Sequence, residues 1–173
     1  MARKITTIGI FTAAMIVGGY ILYFLSNLVP IPGSKFIMMG PYLTFVMTFP
    51  LIRYPRFGTL SLINLVFGGV MIIMSPWMTL AIVVSGILAD LMMLLPIWLK
   101  VKQVLAMGVY NGISLLTSFY ISNYITGNAL YKILNFEALL VGLGLAVLTG
   151  ILGGYMGLKV NKKYLKLEKN ISF

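Results

Sequence analysis

The chain has no cysteine and no histidine, and in 173 residues only three acids stand against thirteen Lys and Arg. Without cysteine there is no disulfide framework and no thiol nucleophile; without histidine there is no imidazole base and no His-based metal site. Catalysis would have to come from Asp90, Glu137 and hydroxyl groups, a set too sparse for an enzyme, so no catalytic residue, metal or cofactor is expected. No Gly-x-x-x-x-Gly-Lys-Ser/Thr segment occurs, so any ATP hydrolysis must belong to a partner. No internal repeat or low-complexity linker is visible. Met1 to Tyr20 has no small-x-small cleavage site and reads as a first membrane crossing.

What is abundant is apolar. Hydrophobic side chains make up 60 % of the chain and charged ones 9 %, a balance suited to a bilayer rather than to water. Six apolar segments, approximately 5–25, 36–52, 57–74, 77–99, 102–124 and 135–158, are each long enough for a hydrocarbon core about 30 Å thick. The expectation is a single all-α domain, an integral membrane bundle of six transmembrane helices, with a basic tail over 159–173.

The formal charge of +10 sits in short clusters at segment ends. Arg3 and Lys4, Arg53 and Arg56, Lys100 and Lys102, and then Lys159, Lys162, Lys163, Lys166 and Lys169 alternate with connections holding only Lys35, none, and Lys132. Eleven of the thirteen basic residues therefore fall on one side. Lys and Arg flanking short loops stay in the cytoplasm, which predicts a plasma-membrane protein with both termini cytoplasmic. The clusters orient the chain and attract anionic lipid; no nucleic-acid recognition module accompanies them. Lys159, Lys162, Lys163 and Lys166 share much of one helical face, so the tail is expected to lie along the headgroups.

Breakers and small residues mark the joints. Pro30, Pro32 and Gly33 end the first segment, Gly40-Pro41 interrupts the second and predicts a kink, a tilt or a partly re-entrant stretch, Ser75-Pro76 forms a turn, and Pro96 lies near the end of the fourth. Gly142, Ala146, Gly150 and Gly154, with Gly153 and Gly157 beside them, form a groove for a neighbouring helix of the bundle. Gly9 with Ala13 and Ala14 with Gly18 repeat the pattern on the first segment, where an internal and an external partner are both open.

Asp90 is the only acid well inside a segment, and an unpaired carboxylate there costs at least ~2.5 kcal/mol. With the turn between segments 4 and 5 centred near Val101, Asp90 and Asn111 lie at similar depth, as do Ser85 with Thr117 and Ser118, and Thr79 with Ser122 and Asn123. Thr79, Gly86 and Asp90 share one helical face; Asn111, Ser114, Ser118 and Ser122 share another. Two readings stay open. One is an outward-opening small-molecule pocket floored by Asp90, suited to a cationic or amine-bearing ligand. The other is a structural clamp in which Asn111 satisfies Asp90. Ser61 and Asn64 on segment 3 and Tyr110, Tyr120 and Tyr124 on segment 5 are further wall candidates, and Lys35 belongs to a segment able to close over the site. Trp77, Tyr120, Tyr124 and Tyr131 also fit membrane-interface anchors.

In combination these features resemble the substrate-binding S components of energy-coupling factor (ECF) vitamin transporters. The likeness rests on the size, on six crossings with both ends inside, on Ile5-Thr-Thr-Ile-Gly-Ile-Phe-Thr-Ala-Ala14, on the Pro/Gly-rich first outer loop and on Ile52-Arg-Tyr-Pro-Arg-Phe-Gly58. The stretch from Met74-Ser-Pro76 through Val84-Ser-Gly-Ile-Leu-Ala-Asp90 is most similar to thiamine-precursor S components. The resemblance implies a vitamin or micronutrient binder that works with a transmembrane coupling protein and two cytoplasmic ATPases. Gly9, Ala13, Ala14 and Gly18 would dock the coupling protein, and Asp90, Asn111, Ser118 and nearby tyrosines would hold the ligand. No His-rich amino end is present, which argues against nickel or cobalt. The competing readings are a stand-alone proton-coupled transporter or channel using Asp90, a membrane enzyme, and an assembly factor. The first is opposed by the lack of an inverted repeat and by a single buried acid.

Overall fold

The computed structural model describes residues 2–26, 28, 34–73, 75–127 and 136–171. Its helices are α1 (Ala2–Ser26), α2 (Ser34–Arg53), α3 (Thr59–Met71), α4 (Pro76–Leu91), α5 (Leu99–Tyr120) and α6 (Phe136–Ile171), and the described residues contain no strand. Expectations resting on Asn27, Pro30, Pro32, Gly33, Met74, Tyr131, Lys132 and Asn135 lie outside the described residues, as do those on the side chains beyond Lys163. Five helical stretches are long and apolar enough to cross a bilayer; α3, at 13 residues, is shorter. At 1.5 Å per residue α3 reaches only ~20 Å. The all-helical apolar bundle is compatible with a multi-pass membrane protein.

Local chemistry sets the boundaries. α3 begins after Gly58, whose φ of 89° lies in the left-handed region that glycine occupies without a Cβ penalty. α4 stops at Leu91 rather than continuing to Leu99. Leu95 precedes Pro96, the pyrrolidine ring disfavours α geometry one residue earlier, and Leu95 is extended (φ −64°, ψ 139°) after a 3-10 turn over Met92–Leu94. α2 keeps Pro41 and Pro50 inside one continuous helix, so no re-entrant break occurs at Gly40-Pro41. Side chains serve the carbonyls around Pro41: Thr44 Oγ1 donates to Gly40 O at 2.7 Å and Asn111 Nδ2 to Phe36 O at 3.3 Å. The end of α5 widens into a π turn, Ile121–Ile125, closed by Thr126 N–H to Ile121 O at 3.0 Å. α6 runs for 36 residues without a break, so the basic tail continues the helix instead of starting a separate surface-lying element.

α6 lies against both α2 and α5, and its glycines are the reason it fits. A Cβ on Gly150 would stand 2.6 Å from Met107 O, and one on Gly154 2.9 Å from Met107 Cγ. On the adjoining edge a Cβ at Gly157 would be 2.7 Å from Thr48 Cβ, and one at Gly153 would overlap Thr44 and the Pro41 carbonyl. One row of small residues admits α5 and the other α2, the intramolecular packing expected of close-approach helices. Met15, Met47, Leu51, Leu60, Ile63 and Met107 are fully buried between the helices, whereas large apolar side chains such as Val17, Phe24, Leu148 and Leu152 lie exposed on the outside.

Candidate functional site

At the end of the bundle where α1, α3 and α5 finish and α2 and α4 begin, the helices enclose a cavity of about 310 Å³. This end lies opposite the helix termini that carry Arg3, Arg53 and Lys100. From α5 the wall receives Tyr110, Asn111, Ser114 and Ser118, then Ile121 and Ser122 of the π turn and Thr126 just beyond it. π turns are frequent at functional sites, and this one borders the cavity. α2 supplies Lys35, Phe36, Met39, Gly40 and Leu43; α4 and its cap supply Ser75, Trp77, Met78, Ala81 and Ile82. Tyr23 of α1 and Phe67 of α3 close the remaining sides.

Asn111 anchors this architecture. Its Nδ2 lies 2.8 Å from Ala146 O, 3.1 Å from Thr149 Oγ1 and 3.3 Å from Phe36 O, so one amide ties α5 to α6 and to α2. Gly40 makes room for it, since a Cβ there would overlap the Asn111 side chain. The rest of the wall combines aromatic rings with a row of hydroxyls. Among the described residues its single charged group is Lys35, whose Nζ sits 4.3 Å from the centroid of the Tyr23 ring. No acid lines the cavity among the described residues, and no cluster of metal-binding side chains occurs among them.

Five residues expected at the site line the cavity: Lys35, Tyr110, Asn111, Ser114 and Ser118. Asp90 does not. It is fully buried, and its Oδ2 accepts from Gly58 N–H at 2.7 Å, Ser61 N–H at 3.0 Å and Ser61 Oγ at 2.7 Å. A carboxylate thereby caps the positive end of α3 from a neighbouring helix. The cavity floor and the Asn111 clamp expected for Asp90 are both replaced by this arrangement, and the case for a cationic ligand loses its counter-charge. The hairpin register itself holds where it can be checked, with Ser85 Oγ and Thr117 Oγ1 3.3 Å apart. Direction differs: Asp90 turns to α3, whereas Asn111 turns to α2 and α6.

Four other expected wall residues also serve elsewhere. Ser85 is buried and donates to Ala81 O at 2.7 Å; Thr79 Oγ1 donates to Gly68 O at 2.9 Å, joining α4 to α3. Asn64 is buried, donates to Leu60 O at 2.9 Å and packs against the open face of Gly86. Tyr120 is 59 % exposed and rests against Tyr124, 4.9 Å between ring centroids. Conversely, Tyr23, Phe36, Met39, Phe67 and Met78 line the cavity although none is a wall candidate on the sequence. Their one signal is position, within a few turns of the same end. Trp77, read as an interface anchor, lines it too.

The small residues of α1 divide. Ala14 O accepts from the Tyr42 hydroxyl at 2.7 Å, and Tyr42 covers Gly18, so this pair serves the bundle. Gly9 has nothing within 4 Å of where a Cβ would stand, and Ala13 is exposed. Searches of protein families, curated proteins and solved structures found no match to this chain, so the geometry carries the functional reading.

Proposed function

We propose that the chain is the substrate-binding membrane subunit of an ECF-type importer, one that captures a vitamin-like solute and hands it on through a transmembrane coupling protein and two ATPases. The observation that carries the reading is the cavity of about 310 Å³, walled by five helices at one end of an apolar bundle. That volume is at the small-ligand end of the range for binding pockets. On the charge asymmetry, this end faces outward and both termini lie in the cytoplasm of a cell-membrane protein. The unpartnered Gly9 and Ala13 face of α1 supports a docking surface for the coupling protein. Binding and delivery, rather than catalysis, is the role we assign.

The proton-coupled alternative needs Asp90 on the permeation path. Three donors at the start of α3, from Gly58 and Ser61, instead occupy its Oδ2, and it does not line the cavity. The test is purification from cells in mild detergent, followed by mass spectrometry of retained small molecules and identification of co-purifying subunits. A retained organic compound together with ATPase subunits is the expected result. Solute uptake by the isolated chain in vesicles, driven by a proton gradient and abolished by Asp90→Asn, would refute the proposal.

A further inference from the structure

The lining of the cavity also specifies the charge of its occupant, given the reading above that the cavity is the ligand site. We propose that it takes a small organic anion, a carboxylate or phosphate attached to a flat ring, with the anionic group at Lys35 and the ring between Trp77, Phe36 and Tyr110.

Charge comes first. Lys35 is the only charged side chain on the wall among the described residues. The whole chain has three acids to offset it: Asp90, Glu137 and Glu168. Asp90 is bound to the start of α3, and Glu137 is exposed on the first turn of α6 and does not line the cavity. Glu168 is three residues from the far end of α6. The stretches 29–33 and 128–135, which join helices at the cavity end, contain no acid in their sequence. Among the described residues no carboxylate lines the cavity beside Lys35, whose ammonium rests on the face of the Tyr23 ring. A ring face attracts an ammonium but accepts no set of conventional hydrogen bonds, so donors of the ammonium stay available to an anion.

α2, α4 and α6 begin at this end with partial positive charge, and α1, α3 and α5 finish there with partial negative charge, so the helix ends offset one another and Lys35 sets the sign. Ser75 caps α4 without a side-chain capping bond and lines the cavity. A cation entering here would meet Lys35, with no acid among the described wall residues to offset it.

The remaining wall limits the anion to an organic one. Tyr23, Phe36, Phe67, Trp77, Met78 and Ile82 are apolar bodies that cannot replace the hydration shell of inorganic phosphate. A flat ring, by contrast, gains contact with them, and substituents on it can reach the Ser114 and Ser118 hydroxyls. A cavity of about 310 Å³ stands at the small end of small-molecule sites, which suits a single- or double-ring compound.

The test uses the full chain in nanodiscs. Compounds retained from cells are extracted and their charge read by mass spectrometry, and thermal shifts are measured with phenylacetate, phenylacetamide and phenethylamine, a matched anion, neutral and cation. The expected retained compound is anionic, and phenylacetate gives the largest shift. Lys35→Gln lowers occupancy at least tenfold and removes the preference for phenylacetate, while Lys35→Arg keeps both. The Tm of each empty variant separates a folding defect from a binding one. A neutral or cationic retained compound, or a larger shift with phenethylamine, overturns the anion assignment and leaves the cavity as a ligand site. No retained compound together with no shift from any of the three probes overturns both.

Discussion

Replacing Asp90 separates a structural carboxylate from a ligand-binding one. In the structure its Oδ2 takes three donors, Gly58 N–H, Ser61 N–H and Ser61 Oγ, at 2.7 to 3.0 Å. A hydrogen bond to a charged group contributes about 1.5–3 kcal/mol, and three sharing one oxygen do not add. Asp90→Ala also leaves the α3 N–H groups without a cap. A loss of about 3–5 kcal/mol follows, the scale seen when one member of a buried charged arrangement is removed. At 2–4 °C per kcal/mol for a chain of this size, Tm falls by roughly 6–20 °C. Asp90→Asn retains an acceptor but loses the charge, and its amide N–H groups take the place of Oδ1, which is buried without a partner among the described residues. A smaller loss of about 1–3 kcal/mol is expected. Neither substitution changes the affinity of the folded protein for its ligand, because Asp90 does not line the cavity. The assay is thermal unfolding in nanodiscs beside ligand titration well below Tm. Unchanged Tm with abolished binding would refute the capping role and return Asp90 to the site.

Further expectations concern packing and topology. Gly150→Ala drives a methyl to 2.6 Å from the Met107 carbonyl, a backbone atom that cannot swing aside, and should lower stability by about 1–3 kcal/mol by thermal unfolding. Gly9→Ala meets open space and should stay within about 0.5 kcal/mol of the parent; Gly9→Leu should do likewise while weakening co-purification of the coupling protein. Because the chain has no cysteine, single-cysteine reporters read the orientation directly. Thr126→Cys should react with an impermeant maleimide on intact cells and Trp98→Cys only after permeabilisation; the reverse pattern would invert the proposed topology.

Legibility in the sequence followed the range of the interactions. The α5 row of Asn111, Ser114, Ser118 and Ser122 reached the cavity as a set, because residues three and four apart on a helix share a face whatever surrounds them. The α6 glycines met α2 and α5 for the same reason. Helix ends were less legible. α4 was read through to Leu99, although the geometry imposed on Leu95 by Pro96 ends it earlier, and α3 was read as a full crossing although it has 13 residues. Asp90 lies away from the cavity: polarity and depth do not specify which neighbour a face meets. Thr79 and Asp90 turn to α3, whereas Ser85 turns to Thr117 on α5.

The one-dimensional pattern alone determined that this chain is an apolar helical bundle with its positive charge on one side, since length, hydropathy and charge placement are local properties that the bilayer reads segment by segment. Tertiary structure decided where the space lies and what charge it presents. It bound the acid to a helix end, left a lysine beside a ring on the wall, and brought residues from five helices to one cavity. Those outcomes depend on the rotation of each helix about its own axis, and packing against several neighbours at once sets that rotation.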